Sequence, residues 1–214
     1  SDHPLASRRI ISGAVENSKL NSVTRRQKSM RLFAKKLNWQ FMPDADFRGS
    51  DFHYFKYFLI RKVDHTRNRA EGWQGRVKII LADLHYYEGE YAAQQHLHST
   101  MVELIVPKDI PTFILNKENL LDRVASLAGF RDINFEQYPD FSQRFNLRGD
   151  EPAAIKEFFD LDLLNFFEDN KNYHLESNGK GLLIFEKERL STISEIKQLV
   201  SFANRLAQIL NAKL

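Results

Sequence analysis

Four residues with metal-ligand chemistry lie on two neighbouring segments of the chain. Asp83 and His85 are two apart in one strand-like stretch, and His96 and His98 are two apart in the next. Residues two apart in a strand project to the same side, so a tight hairpin brings all four to one face, with Asp83 opposite His96. A carboxylate and imidazoles can hold zinc and leave a position for water. One hypothesis is therefore a metal-dependent hydrolase with the ligand set Asp83, His85, His96 and His98.

The same four residues also suit the solvated face of a two-stranded ribbon, and a one-residue change of register separates them. The sequence has no His-Glu-x-x-His, Gly-x-Ser-x-Gly or phosphate-binding glycine loop. It has no cysteine either, which excludes disulfides, thiolate nucleophiles and Cys-ligated metals. We therefore expect no cofactor and no enzymatic activity, and keep the hydrolase as an alternative.

A basic helix is predicted from Thr24 onward. Its apolar residues recur at helical spacing: Met30, Phe33, Ala34 and Leu37. Six cations cover the rest of it: Arg25, Arg26, Lys28, Arg31, Lys35 and Lys36. Such a face can bind anionic lipid headgroups or a phosphate backbone, or it can be a solvated helix face with long side chains laid over the core.

The charge of the chain is divided unevenly along its length. Residues 1–80 hold 17 Lys and Arg against 7 Asp and Glu, a net charge of +10. Residues 81–214 hold 14 against 21, a net charge of −7. This division predicts an anionic membrane surface or an acidic protein as the partner of the leading part. The acidic remainder argues against nucleic acid, which stays as the weaker alternative; the oligomeric state is left open.

The elements that must position these residues indicate an α+β protein. Hairpins are predicted from residues 75–87 and 94–106, and from 172–176 and 180–186 around an Asn178-Gly179 turn. Helices are predicted from Thr24, over 117–128, from Glu151 after a cap at Asp150, and at the C terminus. Because hairpins connect the strands as often as helices do, we expect an antiparallel or mixed β-sheet with about four helices packed on it.

The domain prediction is a flexible N-terminal arm over residues 1–22 followed by one α+β domain over 23–214. The arm is polar and shows no apolar period. Pro107 and Pro111 mark a soft boundary near 107–111 within the domain.

Several short motifs follow one another in the second half of the chain. They are Phe113–Glu118, Asp132–Glu136, Tyr138–Ser142 and Phe145–Gly149, with a helix from about Glu151. This order resembles a family of uncharacterised bacterial proteins that carry membrane-spanning segments ahead of a soluble C-terminal domain of unknown function. The resemblance covers roughly residues 75–190 and brings no catalytic residues with it.

The resemblance and the basic segment together predict an interaction or scaffold domain that is not an enzyme. Its expected place is the cytoplasm, at the inner face of a membrane, with a tether upstream of this chain as the further expectation.

Overall fold

The computed structural model describes residues 4–45, 51–89, 93–116, 129–171 and 173–214. The helices are α1 (Pro4–Lys36), α2 (Pro139–Arg144), α3 (Pro152–Phe158), α4 (Leu161–Glu168) and α5 (Ile193–Lys213). The strands are β1 (Gln40–Ala45), β2 (Arg61–Gln74), β3 (Val77–Glu88), β4 (Gln95–Ile105), β5 (Phe113–Asn116), β6 (Arg131–Asp132), β7 (Asn146–Gly149), β8 (His174–Ser177) and β9 (Gly181–Phe185). Two short 3₁₀ turns, Asp51–Tyr54 and Lys56–Phe58, precede β2.

The strands of the described residues form one sheet in the order β1-β2-β3-β4-β9-β8-β5-β7-β6. Each of its pairings is antiparallel. The first four strands follow chain order, and β9 then joins β4 to the second group of strands. The predicted α+β class, with helices on an antiparallel sheet, is confirmed.

The sheet is covered on both faces around β3, whose apolar residues occupy consecutive positions. On one face, which we call the helix face, Ile79 and Leu81 pack with residues of α1 and α5. On the opposite face, Ile80 and Ala82 pack with aromatic residues of the segment before β2. A strand buried on both sides reads as a nearly continuous apolar run, which explains the double apolar pattern of residues 77–86.

Local sequence signals account for the second hairpin and the last helix. Gly179 adopts a φ of 90° in the turn between β8 and β9, and the Asn178 side-chain oxygen accepts hydrogen bonds from the backbone of Lys180 and Gly181, both at 2.9 Å. Thr192 and Glu195 form a reciprocal capping box at the start of α5. Both elements were predicted and both are confirmed.

The first helix is longer than predicted, because it begins at Pro4 and includes most of the stretch expected to be a flexible arm. Proline is well tolerated in the first turn of a helix, and after it only Gly13 has a low helix propensity, which costs about 1 kcal/mol. Residues 4–22 thus belong to the helix although no apolar period predicted it there, and the flexibility of the arm stays a prediction. The helix predicted over 117–128 lies outside the described residues.

Strand β1 runs from Gln40 to Ala45 and contains a proline at position 43. It can include Pro43 because β1 is the edge strand of the sheet, where a missing backbone N–H breaks no internal ladder. The predicted boundary at 107–111 is the connection from β4 to β5, within a single sheet.

A buried carboxylate fixes the segment that covers the second face. Glu176 on β8 is 1% exposed and accepts hydrogen bonds from the backbone N–H groups of Lys56 and Tyr57, the latter at 3.0 Å. Burial raises the pKa of Glu176 to about 7, although the two backbone hydrogen bonds act in the opposite direction. The folded protein therefore holds a proton on this group more tightly than the unfolded chain does.

We predict that Glu176→Gln changes the pH dependence of stability. A carboxyl whose pKa is raised on folding contributes stability that is complete below about pH 4.5 and is lost as the pH rises through about 7. The glutamine variant lacks this pH-dependent loss. The unfolding free energy of the variant minus that of wild type should therefore be about 2 kcal/mol larger at pH 8 than at pH 5. Urea unfolding at both pH values measures this, with the exposed Glu157→Gln as control. An unchanged difference between variant and wild type at the two pH values would contradict the prediction.

Candidate functional site

A buried ion pair joins α1 to the sheet. Asp83 on β3 is 2% exposed, and its two carboxylate oxygens accept hydrogen bonds from Nε and Nη2 of Arg26, each at 2.7 Å. Nη1 of Arg26 donates to the backbone oxygen of Ser191, also at 2.7 Å. Because Ser191 directly precedes the cap of α5, one guanidinium connects the first helix, strand β3 and the start of the last helix.

The Asp83 carboxylate has two further donors from the flanking strands. Asn68 donates to one oxygen at 2.9 Å, and the Thr100 hydroxyl donates to the other at 2.8 Å. Asn68 sits in an irregularity of β2 with a φ of 51°, a conformation that asparagine tolerates better than most residues. With four donors, this carboxylate is fully engaged inside the protein.

This cluster corrects two sequence-based expectations. Asp83 was predicted as a metal ligand, and Arg26 as part of a surface that binds anions. The structure shows that they bind each other, and the Arg26 side chain is only 20% exposed. The sequence could not reveal the pair because its members are 57 positions apart.

The hairpin of β3 and β4 pairs in a different register from the expected one. His85 lies opposite His98, Tyr87 opposite His96, and Asp83 opposite Thr100. The shift is four residues, an even number, so the predicted side chains still share one face. They are spread along it, however, and His96 contacts Tyr87 at a ring-centroid distance of 4.5 Å.

His65 on β2 extends the pair of His85 and His98 into a row of three neighbouring histidine rings, which we call the histidine row. The His65 ring stacks on His85 with centroids 4.1 Å apart, and His98 meets the other side of His85 edge-on at 4.2 Å. His65 was missed because the sequence argument considered only two strands. Among the residues that the structure describes, no three His, Asp or Glu side chains are arranged to hold a metal ion. The predicted ligand set is thus only partly brought together, through His85 and His98.

Two histidines of this row, His85 and His98, have surroundings that favour the neutral imidazole. Burial, followed by the neighbouring His65, His98 and Arg67, lowers the pKa of His85 to about 4. The pKa of His98 is lowered in the same way, by burial first and then by His65.

The outer face of α1 carries the remaining five cations of the predicted set: Arg25, Lys28, Arg31, Lys35 and Lys36. All five are exposed. None of them forms an ion pair with a carboxylate of the described residues. Arg31 lies over the Phe41 ring, 4.8 Å from its centroid.

The five cations form one arc because of helix geometry. Successive residues turn by about 100°, so these positions fall within about 140° of one another, opposite the side that buries Met30 and Ala34. Leu32 lies inside this arc and is 61% exposed. We call this surface, made of the five cations and Leu32, the basic face. Within the described part of the chain, no helix is long and apolar enough to span a bilayer.

Comparison with known proteins adds a similarity of fold. No family model matches the chain, and no curated protein matches its sequence. Among solved structures, the crystal structure of the mycobacterial trehalose monomycolate transport factor A, TtfA, is similar, with a TM-score of 0.56 and 13% sequence identity. The match covers 88% of this chain and 94% of that chain. At this identity the likeness concerns the fold alone.

We predict that the Arg26–Asp83 pair is required for stability. Removing one partner of a buried pair leaves the other charge uncompensated, which costs about 3 to 5 kcal/mol; because Arg26 is partly solvated, we expect about 3 kcal/mol for Asp83→Ala. Urea unfolding of Asp83→Ala, Arg26→Ala and the double variant gives the coupling energy, with Arg25→Ala as the matched exposed control. Additive effects of the two single changes would show that the pair is not coupled.

We also predict that His85 makes the protein sensitive to acid. A group whose pKa is lowered on folding contributes stability that is present above about pH 6.5 and is lost as the pH falls toward about 4. In His85→Phe, the loss of stability between pH 7 and pH 5 should be smaller than in wild type by about 1 kcal/mol, allowing for solvent screening of the half-buried ring. Thermal or urea unfolding at the two pH values measures this. Equal losses in both proteins would count against the prediction.

Proposed function

We propose that this chain is a non-enzymatic interaction domain that binds an anionic membrane surface through the basic face of α1. The observation that carries the proposal is the set of five exposed cations without carboxylate partners among the described residues. Each such cation contributes about 1 kcal/mol near an anionic bilayer, so five together are enough for reversible recruitment. The proposed place of action is the cytosolic face of the membrane.

The orientation of α1 supports the proposal. Apolar contacts and the Arg26–Asp83 pair hold its inner side against the sheet, and the outer side is thereby turned away from the body of the protein. Of the six cations between Arg25 and Lys36, one therefore serves internal attachment and five are available to an external partner. The fold likeness to a transport factor is compatible with a role at a membrane and adds no residue to the argument.

Nucleic acid is the competing polyanion. Its phosphates would also attract the basic face, but the neighbouring Phe41 ring is partly buried and lies under Arg31, which leaves little aromatic surface for base stacking. The net charge of −7 over residues 81–214 further disfavours an extended phosphate backbone.

We predict that binding follows the basic face rather than total charge. Wild type should co-sediment with phosphatidylcholine vesicles that contain about 30% phosphatidylglycerol, and not with pure phosphatidylcholine. The triple variant Lys28→Gln/Lys35→Gln/Lys36→Gln should bind about 100-fold more weakly, since it loses three of these cations.

A matched control removes three exposed lysines elsewhere: Lys108→Gln/Lys156→Gln/Lys197→Gln. It has the same net charge as the first triple variant and should bind like wild type. Equal weakening of both triple variants, or equal binding of wild type to neutral and anionic vesicles, would refute the proposal. Tighter binding to duplex DNA than to the anionic vesicles would show that the basic face binds nucleic acid, and would refute the membrane proposal.

A further inference from the structure

Leu32 occupies an unusual position for an exposed leucine. Single apolar residues on a protein surface are common and need no explanation. Leu32, however, lies within the arc of the five cations, with Lys28 one turn before it and Lys35 and Lys36 one turn after it. At 61% exposed, it is left largely uncovered by the part of the chain that the structure describes.

We propose that Leu32 inserts between the lipid headgroups when the basic face binds the membrane. The inference rests on the proposed function and makes it more specific, because it assigns an apolar contribution to a surface that is otherwise electrostatic. Lysine and arginine side chains are long enough to keep their charged ends at the phosphate level while a shorter neighbour reaches the acyl boundary. Leu32 is therefore the residue that distinguishes a bilayer from other polyanions.

The position of the cations also fixes how α1 must lie. From Arg25 to Lys36 the helix rises by about 16 Å, and the cations are distributed over the whole of that length. All five can approach headgroups together only if the helix axis is parallel to the membrane plane. In that orientation Leu32 points along the membrane normal, and the sheet lies behind the helix.

Leu20 provides a matched control on the same helix. Its exposed fraction is 65%, close to that of Leu32. By the helical rotation of about 100° per residue, it lies about 90° from the centre of the basic face. A helix lying flat on its basic face therefore leaves Leu20 at the side, away from the acyl chains.

The first measurement is the salt dependence of vesicle binding. Wild type, Leu32→Gln and Leu20→Gln are titrated with vesicles that contain about 30% phosphatidylglycerol at about 0.1 M and 0.5 M NaCl. Salt screens the cations but not an inserted leucine, so all three proteins should bind more weakly at the higher salt while the affinity ratio between wild type and Leu32→Gln stays the same. Leu32→Gln should bind about fivefold to tenfold more weakly than wild type at both salt concentrations, and Leu20→Gln should match wild type.

The second measurement reports insertion directly. Because the chain has no cysteine, Leu32→Cys and Leu20→Cys each create a unique site for an environment-sensitive fluorophore. On addition of the anionic vesicles, the label at position 32 should shift its emission to the blue and be quenched by nitroxide groups in the bilayer. The label at position 20 should shift much less.

The outcomes separate the two levels of the proposal. If wild type does not bind anionic vesicles at low salt, the proposed function fails, and insertion fails with it. If wild type binds but Leu32→Gln binds equally well and the label at position 32 does not shift, insertion is overturned and electrostatic binding stands. Equal shifts at positions 32 and 20 would overturn the flat orientation of α1.

Discussion

The buried carboxylate of Asp83 is the constraint on which the arrangement of this protein depends. A charge in the middle of a sheet is costly unless donors surround it, and here they come from α1, β2 and β4. The Thr100 hydroxyl also accepts a hydrogen bond from the backbone of Ser191 at 2.9 Å. The helix face is thus assembled around one satisfied anion, and α1 cannot rotate about its axis without removing a donor from it.

The rotation of α1 decides what the protein shows to its surroundings. Arg26 faces inward while its neighbour Arg25 faces outward, although the two have the same charge and adjacent positions. A rotation of one residue position would turn Arg26 away from Asp83 and move Met30 and Ala34 out of the core in which they pack. The internal ion pair and the external basic face are therefore two results of one helix orientation, which links the stability of the fold to the proposed function.

The sequence predicted best those elements whose signals are local. The Asn178-Gly179 turn and the capped, periodic α5 depend on neighbours within a few residues, and the fold class followed from them. Features that depend on contacts across the chain were missed. The register of β3 and β4, the third histidine at His65 and the pairing of Arg26 with Asp83 are each set by tertiary packing, which no short window contains. The N-terminal part of α1 was missed for a different reason, since a helix without an apolar stripe has no periodic signal.

The strand order implies an order of assembly. Strands β1 to β4 pair with their neighbours in sequence, and the connections from β2 to β3 and from β3 to β4 are short. The contact of β4 with β9, by contrast, joins Ile105 to Gly181, and the intervening chain must first be brought back to the growing sheet. Loop-closure entropy makes such a step slower than local hairpin formation. The pairing of β4 with β9 is therefore the expected slow step of folding. Ser191 follows β9 in the chain, so we expect its hydrogen bonds with Arg26 and Thr100 to form only after this pairing.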